Sequence, residues 1–430
     1  MSGKSKIPPD YKKTEIGIIP EDWEVKNMEE VSTLKARIGW QGLTTSEYLK
    51  HGDYFLITGT DFESGKIKWE KSVYVSKRRY DQDKNIQIEK NDILITKDGT
   101  IGKVAFIYDN PPKPATLNSG IFVIRPKNGA YDPLFVFYLF NSSFFRIFLN
   151  KLMAGSTINH LYQKDFINFL IPLPPTIAEQ CTIARVLSDI DRLIESLDKL
   201  IEKKKLIKKG TMQELLTGKK RLPGFTGEWV RKKLVEVGFC KSGSGFPLKY
   251  QNVKQGNYPF FKVSDMARKE NLIFLKRPNN WISEDIREKI KATTFPKHSI
   301  IFAKIGAAVF LERKKILLQE SCIDNNMMGF IVNNSKADYM FMYYLFNSIS
   351  LSELVELTAL PSISKDNIEN IEFAIPPTLA EQQAIAQILS DMDAEIEALE
   401  RKKQKYEMMK KAAMELLLTG KVRLKFNNKK

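Results

Sequence analysis

The residue types that most often bind metals or act as nucleophiles are scarce in this chain. It contains three histidines and three cysteines. These residues are His51, His160, His298, Cys181, Cys240 and Cys322. The histidines have no cysteine, aspartate or glutamate at the spacing of a metal-ligand set, and no two cysteines form a Cys-x-x-Cys pair. The sequence therefore predicts neither a metal site nor a disulfide framework, and a reducing compartment fits best.

Two short segments approach nucleotide-related motifs without completing them. Residues 99–103, GTIGK, are too short for a phosphate-binding P-loop and are better interpreted as a hairpin turn. Residues 110–113, NPPK, approach a motif of adenine methyltransferases, but Lys113 stands where an aromatic ring would stack on a flipped base. We therefore expect no catalytic residues from either segment.

A third pattern would suit a nuclease. Pro9 and Asp10 are followed by Glu24, Val25 and Lys26, so that the two carboxylates would hold Mg²⁺ while the lysine assists. Because Asp10 lies in a polar tail and not in a predicted strand, this is the weaker interpretation. A fused nuclease stays open as an alternative.

The charge of the chain favours a polyanionic partner. Lysine and arginine number 67 against 51 aspartate and glutamate residues, which gives a formal net charge of +16. Each phosphate that a cationic side chain neutralises releases counterions, although net charge also serves solubility. No window approaches the roughly 20 apolar residues of a membrane span, and the first residues do not resemble a signal peptide. We therefore expect a cytoplasmic protein that does not insert into a membrane.

An internal repeat divides the chain into two similar halves. The 430 residues already exceed what one hydrophobic core usually supports. Residues 174–191 read PPTIAEQCTIARVLSDID, and residues 376–393, which lie 202 positions later, read PPTLAEQQAIAQILSDMD. The two segments are alike at most positions, which predicts two copies of one structural unit.

A second landmark repeats at the same offset. The sequence LLTGK occurs at residues 215–219 and again at residues 417–421, and Arg221 is followed 202 positions later by Arg423. Upstream of residue 174 the copies stay alignable only if the offset drifts by a few residues, as short loop insertions would allow. The front portions have therefore diverged, and we expect them to do different jobs.

Each repeated proline segment is typical of the start of a helix. Thr176 with Glu179, and Thr378 with Glu381, form a capping-box pattern. In this pattern the threonine hydroxyl accepts a hydrogen bond from the backbone amide of the glutamate, whose side chain returns one to the threonine amide. A glycine that would end the helix follows about 40 residues later in both copies, which predicts helices roughly 60 Å long.

Apolar residues recur along both predicted helices in steps that average 3.5 residues, which is typical of a coiled-coil seam. The seam residues are Ile183, Leu187, Ile190, Ile194, Leu197, Ile201, Ile385, Leu389, Met392, Ile396 and Leu399. The first helix leads away from the first domain and the second helix starts on the second domain, so the two must pair antiparallel. We therefore expect two similar domains, related by a pseudo-two-fold axis, that are separated by a helical spacer.

The portions before the helices are rich in short apolar runs bounded by glycine, proline, asparagine and aspartate, which are typical of strands. Longer apolar segments predict helices packed on them, so the predicted fold class is α+β. The predicted ranges are 1–172 for the first globular domain, 173–222 for the first long helix, 223–374 for the second globular domain and 375–430 for the second long helix with a C-terminal tail.

Glycine-rich loops follow the first strand of each copy, at residues 39–42 and 243–246, and basic hairpins lie further along. Glycine lets a backbone approach phosphate closely and lysine supplies charge, although tight turns with exposed charges would have the same sequence. The candidate DNA contacts are Arg37, Trp40, Gln41, Lys97, Thr100, Lys103, Lys241, Ser244, Phe246, Lys249 and Lys304.

The doubled proline-AEQ and LLTGK segments, together with the opening IGIIPEDWEV, resemble the specificity subunit of Type I restriction-modification systems over essentially the whole chain. The resemblance implies a non-catalytic DNA-binding subunit with two target-recognition domains, each reading one half of a bipartite site. The two helices would set the spacer and dock the partner subunits. Where the family often has Pro-Leu-Glu-Glu-Gln, this chain has Ala-Glu-Gln, a change that leaves the predicted helix cap intact.

The resemblance also implies partners and their cofactors. The partners would be double-stranded DNA, two modification subunits that bind S-adenosylmethionine and methylate adenine, and restriction subunits that translocate and cut DNA with ATP and Mg²⁺. None of these cofactors is expected in this chain. A fused nuclease would instead cut DNA alone, and a pure coiled-coil scaffold would show no salt-dependent affinity for DNA, so both alternatives can be tested.

Overall fold

The computed structural model describes residues 7–39, 42–153, 160–356 and 361–424. Its contacts divide the chain into two compact units, of which the first comprises Met1–Asp198 with Lys402–Lys430 and the second comprises Lys199–Arg401. The division cuts through two long helices of 39 residues, α6 (Ile177–Leu215) and α11 (Leu379–Leu417). Each unit is therefore one globular part with a portion of both long helices, whereas the ranges expected from the sequence keep each helix whole.

The first unit begins with short strands and helices that precede α6. Its strands are β1 (Tyr11–Thr14), β2 (Gly17–Pro20), β3 (Glu24–Asn27), β4 (Ser32–Lys35), β5 (Tyr54–Ile57), β6 (Phe62–Glu63), β7 (Lys66–Ile67), β8 (Val73–Val75), β9 (Ile93–Thr96), β10 (Val104–Phe106), β11 (Ala115–Leu117), β12 (Ile121–Pro126) and β13 (Leu170–Leu173). Its short helices are α1 (Met28–Val31), α2 (Lys77–Asp81), α3 (Pro133–Phe140), α4 (Ser143–Met153) and α5 (Gln163–Phe166).

Two larger sheets form the globular part of the first unit, together with the two-stranded pairs β1-β2, β3-β13 and β6-β7. One has the strand order β10-β9-β12-β4 and is antiparallel, and the other has the order β11-β5-β8, with β11 parallel to β5. Side chains of β9 alternate between two cores, because Ile93 and Ile95 pack with the helices while Leu94 packs with the second sheet. Both faces of the first sheet are thus buried at β9 and β10, which explains why residues 93–95 and 104–106 are all apolar.

The second unit repeats this composition after α6. Its strands are β14 (Val230–Lys233), β15 (Gly238–Ser242), β16 (Tyr258–Phe261), β17 (Phe274–Leu275), β18 (Asn280–Ile282), β19 (Thr294–Phe295), β20 (Ile300–Ala303), β21 (Lys314–Leu317), β22 (Ser321–Ile323), β23 (Met327–Val332) and β24 (Glu372–Ile375). Its short helices are α7 (Leu234–Val237), α8 (Glu284–Lys289), α9 (Tyr339–Ser348) and α10 (Lys365–Glu369).

The sheets of the two units have the same core topology. The order β15-β23-β20-β21 in the second unit matches β4-β12-β9-β10 in the first, and β18-β16-β22 matches β8-β5-β11, again with one parallel pair. The second unit adds β17 and β19 at sheet edges. The predicted α+β class and the two similar globular domains are therefore confirmed.

The two long helices run antiparallel where they meet inside each unit. In the first unit Asp191 pairs with Lys410, at 2.6 Å, and Asp198 pairs with Lys403, so the position rises along one helix as it falls along the other. In the second unit α6 and α11 pair through Lys204 and Glu395, with the oxygen and nitrogen 2.7 Å apart. The paired long helices that the seam predicts are present. Within the described ranges, no helix is both long enough and apolar enough to span a bilayer.

The starts of the long helices confirm one half of the predicted capping box and correct the other. The hydroxyls of Thr176 and Thr378 accept hydrogen bonds from the amides of Glu179 and Glu381, at 3.2 and 3.3 Å. The glutamate side chains do not return the bond to the cap, because arginine side chains bind both oxygens of each carboxylate. A charged guanidinium with two parallel donors offers a stronger interaction than a neutral amide.

Candidate nucleic-acid interface

The glycine-rich loop of the second unit leaves β15 as predicted. A Cβ atom on Gly243 would lie 2.0 Å from the carbonyl oxygen of Asp324, so only glycine fits this position. Phe246 stacks on Phe260, with the ring centroids 3.8 Å apart, and Ser244 accepts a hydrogen bond from the amide of Thr293 at 2.8 Å. The loop is thus attached to the domain on both sides of Gly245.

Basic side chains surround this loop. Lys241 on β15 and Lys249 beyond the loop are exposed. Lys304, which follows β20, is half-buried and donates a hydrogen bond to the hydroxyl of Ser242 at 2.9 Å. The structure therefore places the predicted lysines of the second unit around the glycine-rich loop, and two of them are exposed and available to a phosphate.

The corresponding loop of the first unit differs, and it corrects one expectation. Arg37 is only 2% exposed, and its guanidinium donates to the carbonyl of Leu117 at 2.9 Å and to the hydroxyl of Thr116 at 3.1 Å. Burial lowers the pKa of Arg37, and the neighbouring Arg79 lowers it further. Arg37 therefore holds strands together and does not reach the surface as a DNA contact. Its neighbours Trp40 and Gln41 lie outside the described residues.

The predicted hairpin turn joins β9 to β10 in the first unit. Its backbone turns at Gly99 and Gly102, which have φ angles of +69° and +79°. Thr100 and Lys103 are exposed, while Lys97 is half-buried with its ammonium 5.2 Å from the centre of the Phe122 ring. The exposed members of this hairpin are available for contacts to a phosphate backbone.

The residues of the nuclease alternative do not form a carboxylate cluster. Asp10 lies in a turn with φ of +66°, and Lys26 pairs with Glu24 at 3.1 Å. Over residues 7–39, 42–153, 160–356 and 361–424, no group of three or more His, Cys, Asp or Glu side chains is placed to hold a metal ion.

The helix seam has two roles. Ile183 and Leu187 at the start of α6 belong to the core of the first globular part, and Ile385 and Leu389 belong to that of the second. The other seam residues lie further from the helix starts, and they divide by exposure. Buried are Leu197, Ile201 and Ile396, and half-buried are Ile190, Ile194, Met392 and Leu399. The first turns of each helix are therefore part of a domain core.

A cluster of tyrosine, aspartate and lysine joins the globular part to both helices in the first unit. Tyr138 on α3 donates a hydrogen bond to Asp191 on α6 at 2.9 Å. Lys410 on α11 pairs with the same carboxylate and lies 5.7 Å from the centre of the tyrosine ring. Burial raises the pKa of Tyr138, and the carboxylate of Asp191 raises it further.

The second unit contains the equivalent cluster. Tyr344 donates to Asp393 at 2.8 Å, and Lys208 binds that carboxylate and lies 5.2 Å from the ring centre. These two Tyr-Asp-Lys clusters fix the register of α6 against α11, because the aspartate of each cluster lies on one long helix and the lysine on the other.

Arginine and glutamate form a second repeated contact. In the second unit Arg221 binds both oxygens of Glu381, at 2.7 and 2.9 Å, and Trp229 donates to the same carboxylate at 3.3 Å. In the first unit Arg423 binds both oxygens of Glu179, at 2.9 and 2.6 Å. Each pair ties the chain after one long helix to the beginning of the other.

The sequence is matched by the family described as the Type I restriction modification DNA specificity domain. The match covers residues 20–205 and 226–407, one domain in each half of the repeat. The chain belongs to this family. The two specificity domains account for the doubled architecture. The family is one of DNA specificity subunits, which are not themselves catalytic.

Curated proteins similar to this chain are specificity subunits of Type I restriction enzymes, and the chain covers most of their length. The Type I restriction enzyme MjaVIII specificity subunit of Methanocaldococcus jannaschii is 29% identical over 425 residues, covering 95% of this chain and 94% of the relative. The MjaIX specificity subunit of the same organism is 26% identical and covers 86% of each chain. The resemblance read from the repeated helix segments is thus confirmed.

A solved structure of the family shares the fold of this specificity subunit. The Type I restriction-modification system S subunit from M. genitalium aligns with a TM-score of 0.58 and 16% identity, covering 97% of this chain and 99% of that chain. At this identity the likeness concerns the fold alone.

Functional reasoning from the sequence missed the arginine-glutamate pairs of this specificity subunit. The signal was available, because Arg221 and Arg423 recur at the same offset as Glu179 and Glu381. A glutamate three residues after a threonine is more often a helix cap, so the local pattern pointed to the cap alone.

Proposed function

We propose that this specificity subunit reads a bipartite, asymmetric DNA site, with each globular part reading one half. The observation that carries the proposal is that the two units share one strand order while their loop residues differ. Lys241, near the end of β15, is exposed, whereas Arg37, which follows β4, is buried. A common framework with different surface chemistry is what two readers of different half-sites require, because base contacts specify and backbone contacts position.

The long helices would set the distance between the half-sites. The Tyr-Asp-Lys clusters support this role, since each one links a globular part to both helices through charged hydrogen bonds. Shifting one helix along the other would separate Asp191 from Lys410 and leave a half-buried carboxylate without its counter-charge. A spacing set by such contacts would be reproducible from one molecule to the next.

The helices also carry a repeated apolar surface for partner subunits. Leu206 and Ile207 on α6 are exposed, and so are Met408 and Met409, which lie 202 positions later on α11. Exposed apolar pairs on otherwise polar helices are suited to burial in an interface. Because the same surface occurs twice, we expect two modification subunits to dock, one on each copy.

The chemistry of the complex would then belong to the partners. Modification subunits would bind S-adenosylmethionine and methylate adenine, and restriction subunits would use ATP and Mg²⁺ to translocate and cut. This chain would contribute the sequence-specific contact to double-stranded DNA, with Lys97, Lys103, Lys241, Lys249 and Lys304 supplying charge around the loops.

Methylation mapping tests the proposal directly. The chain is expressed with its modification subunit in cells that lack other adenine methyltransferases, and methylated adenines are located by single-molecule sequencing. We expect one motif of two short specified parts separated by a fixed number of unspecified bases. A continuous motif, or the same methylation without this chain, would contradict the proposal.

A further inference from the structure

One apolar side chain stands out on the DNA-facing loop of the second unit. Leu248 is 84% exposed, the highest value among the large apolar side chains in the described ranges. It starts a short 3-10 turn, Leu248–Tyr250, directly after Pro247, whose ring restricts the backbone. Single exposed apolar residues are common, so the meaning of Leu248 depends on its surroundings.

The backbone on both sides of Leu248 is held in place. Before it, Phe246 stacks on the fully buried Phe260 with an angle of 14° between the rings. After it, the side-chain amide of Gln251 donates to the carbonyl of Phe246 at 2.8 Å and accepts from Lys262 at 2.9 Å. A side chain on such an anchored loop loses little additional freedom when it enters an interface.

The surface next to this loop is basic. Lys249 and Lys289 line one open cavity beside the turn, and both are exposed. Among the residues that the structure describes around this cavity, none is acidic. An exposed leucine beside two exposed lysines fits a duplex, in which an apolar base stack lies between two rows of phosphates.

We propose that Leu248 is a wedge that inserts between neighbouring base pairs in the half-site read by the second unit, while Lys249 and Lys289 contact the flanking phosphates. Leucine is one of the side chains that proteins insert between base steps, where it unstacks the bases and kinks the helix. The inference rests on the proposed function, because it assigns one residue of the second reading surface.

The wedge belongs to one half of the site only. The corresponding turn of the first unit, Thr45–Glu47, begins with threonine and contains no large apolar side chain. The DNA distortion is therefore expected to be asymmetric, with unstacking in one half-site and none from this turn in the other.

Fluorescence of 2-aminopurine tests the wedge in the full-length chain bound to its modification subunit. Once the motif is mapped, the analogue replaces each purine of the site in turn, except the adenine that becomes methylated. We expect one position, in the half-site assigned to the second unit, to brighten severalfold on binding. Leu248→Ala should abolish that signal and weaken specific binding about tenfold, while its melting temperature stays that of the wild type because Leu248 makes few contacts.

Leu272→Ala is the matched control. Leu272 is an exposed leucine of the same unit, but it precedes β17 at the edge of the sheet opposite β15. This variant should keep both the fluorescence signal and the affinity.

Three results would overturn the wedge. The first is a fluorescence increase that persists in Leu248→Ala. The second and third are the absence of any fluorescence increase in the wild type, whether Leu248→Ala then binds more weakly or binds with unchanged affinity. A wild-type complex that neither binds nor methylates a specific site would instead contradict the proposed function, and the wedge with it.

Discussion

The carboxylates of Glu179 and Glu381 are nearly inaccessible to water, and each accepts two hydrogen bonds from an arginine guanidinium. Glu381 is 1% exposed, and Arg221 supplies two of the three donors that reach it. Removing a charge from water is costly, so such a pair contributes little by itself compared with apolar packing. Breaking one partner is different, because the remaining charge keeps its desolvation cost and loses its compensation.

Arg221→Ala is therefore expected to destabilise the second unit by about 3 kcal/mol, because it leaves Glu381 buried without a counter-charge. Urea denaturation followed by circular dichroism measures the change. The double substitution Arg221→Ala with Glu381→Gln should recover part of the loss. As a control, Arg192→Ala removes an exposed pair with Asp189 and should change stability by less than about 0.5 kcal/mol. Equal losses for Arg221→Ala and Arg192→Ala would refute the argument.

Lys315 makes stability depend on pH. Burial and, to a smaller extent, the neighbouring Arg313 lower its pKa to about 8, while the ammonium donates to the carbonyl of Leu272. A lysine with a depressed pKa in the fold contributes stability that is present above its unfolded pKa and lost as the pH falls through the folded value. The charged form at neutral pH is thus a cost to the fold.

Lys315→Met should accordingly stabilise the second unit at pH 7, by on the order of 2 kcal/mol, and the gain should shrink between pH 8 and roughly 10.5. Denaturation midpoints measured across this range test the expectation. Lys269→Met, at an exposed position, is the control and should follow the wild-type curve. An increase in stability that does not vary with pH would show that removal of the buried charge is not its cause.

The long helices show how one element serves two purposes. Their first turns complete the domain cores through residues such as Ile183 and Ile385, and their later turns pair with each other. This explains why residues 174–191 and 376–393 are identical at 12 of 18 positions while the globular parts have diverged. Many of these positions contribute to a domain core, to the partner helix or to the helix cap.

Adding one heptad to both helices, between the two units, should lengthen the spacer without changing the seam. Seven residues add about 10 Å, which corresponds to roughly 3 base pairs, and they preserve the 3.5-residue phase. Methylation mapping of the double insertion should show both half-sites unchanged with a wider gap between them. Inserting four residues instead breaks the phase and should abolish methylation. An unchanged motif in the heptad variant would exclude the helices as the ruler.

At the scale of the whole molecule, the chain contains two copies of one unit, and each long helix contributes one portion to each unit. The first unit is completed by Lys402–Lys430, and the second is completed by the later part of α6. The hydroxyl of Tyr11 donates to the carbonyl of Gly420 at 2.9 Å, so residues from both chain ends build the first unit. The first unit is therefore discontinuous in sequence, whereas the second is the continuous stretch Lys199–Arg401.

Exchanging residues 223–373 for the equivalent segment of another specificity subunit should change one half of the methylated motif and leave the other half and the spacing intact. The reason is that the segment contains the loops and sheets of one unit, whereas the helices are retained. The methylated motif of the chimera is the measurement. Changes in both halves would contradict the modular reading.

The repeat, the α+β class and the limits of the long helices followed from the sequence by itself. They depend on local physics, because strand length, seam periodicity, proline before the cap and glycine after the last turn are all set by neighbouring residues. The recurrence of the LLTGK and AEQ segments at one offset also predicted the doubled architecture from the sequence.

Other features were decided only by the tertiary structure. Arg37 follows β4, and Lys241 lies near the end of the corresponding strand β15, but the guanidinium is buried against Thr116 whereas the lysine is exposed. Glu179 meets Arg423 across 244 positions of sequence. Such pairings depend on which distant segments pack against each other, and the periodicity of apolar residues does not predict those contacts. The placement of Leu248 has the same origin, since its loop is anchored where Phe246 stacks on Phe260 of β16, and the loop sequence alone does not show that contact.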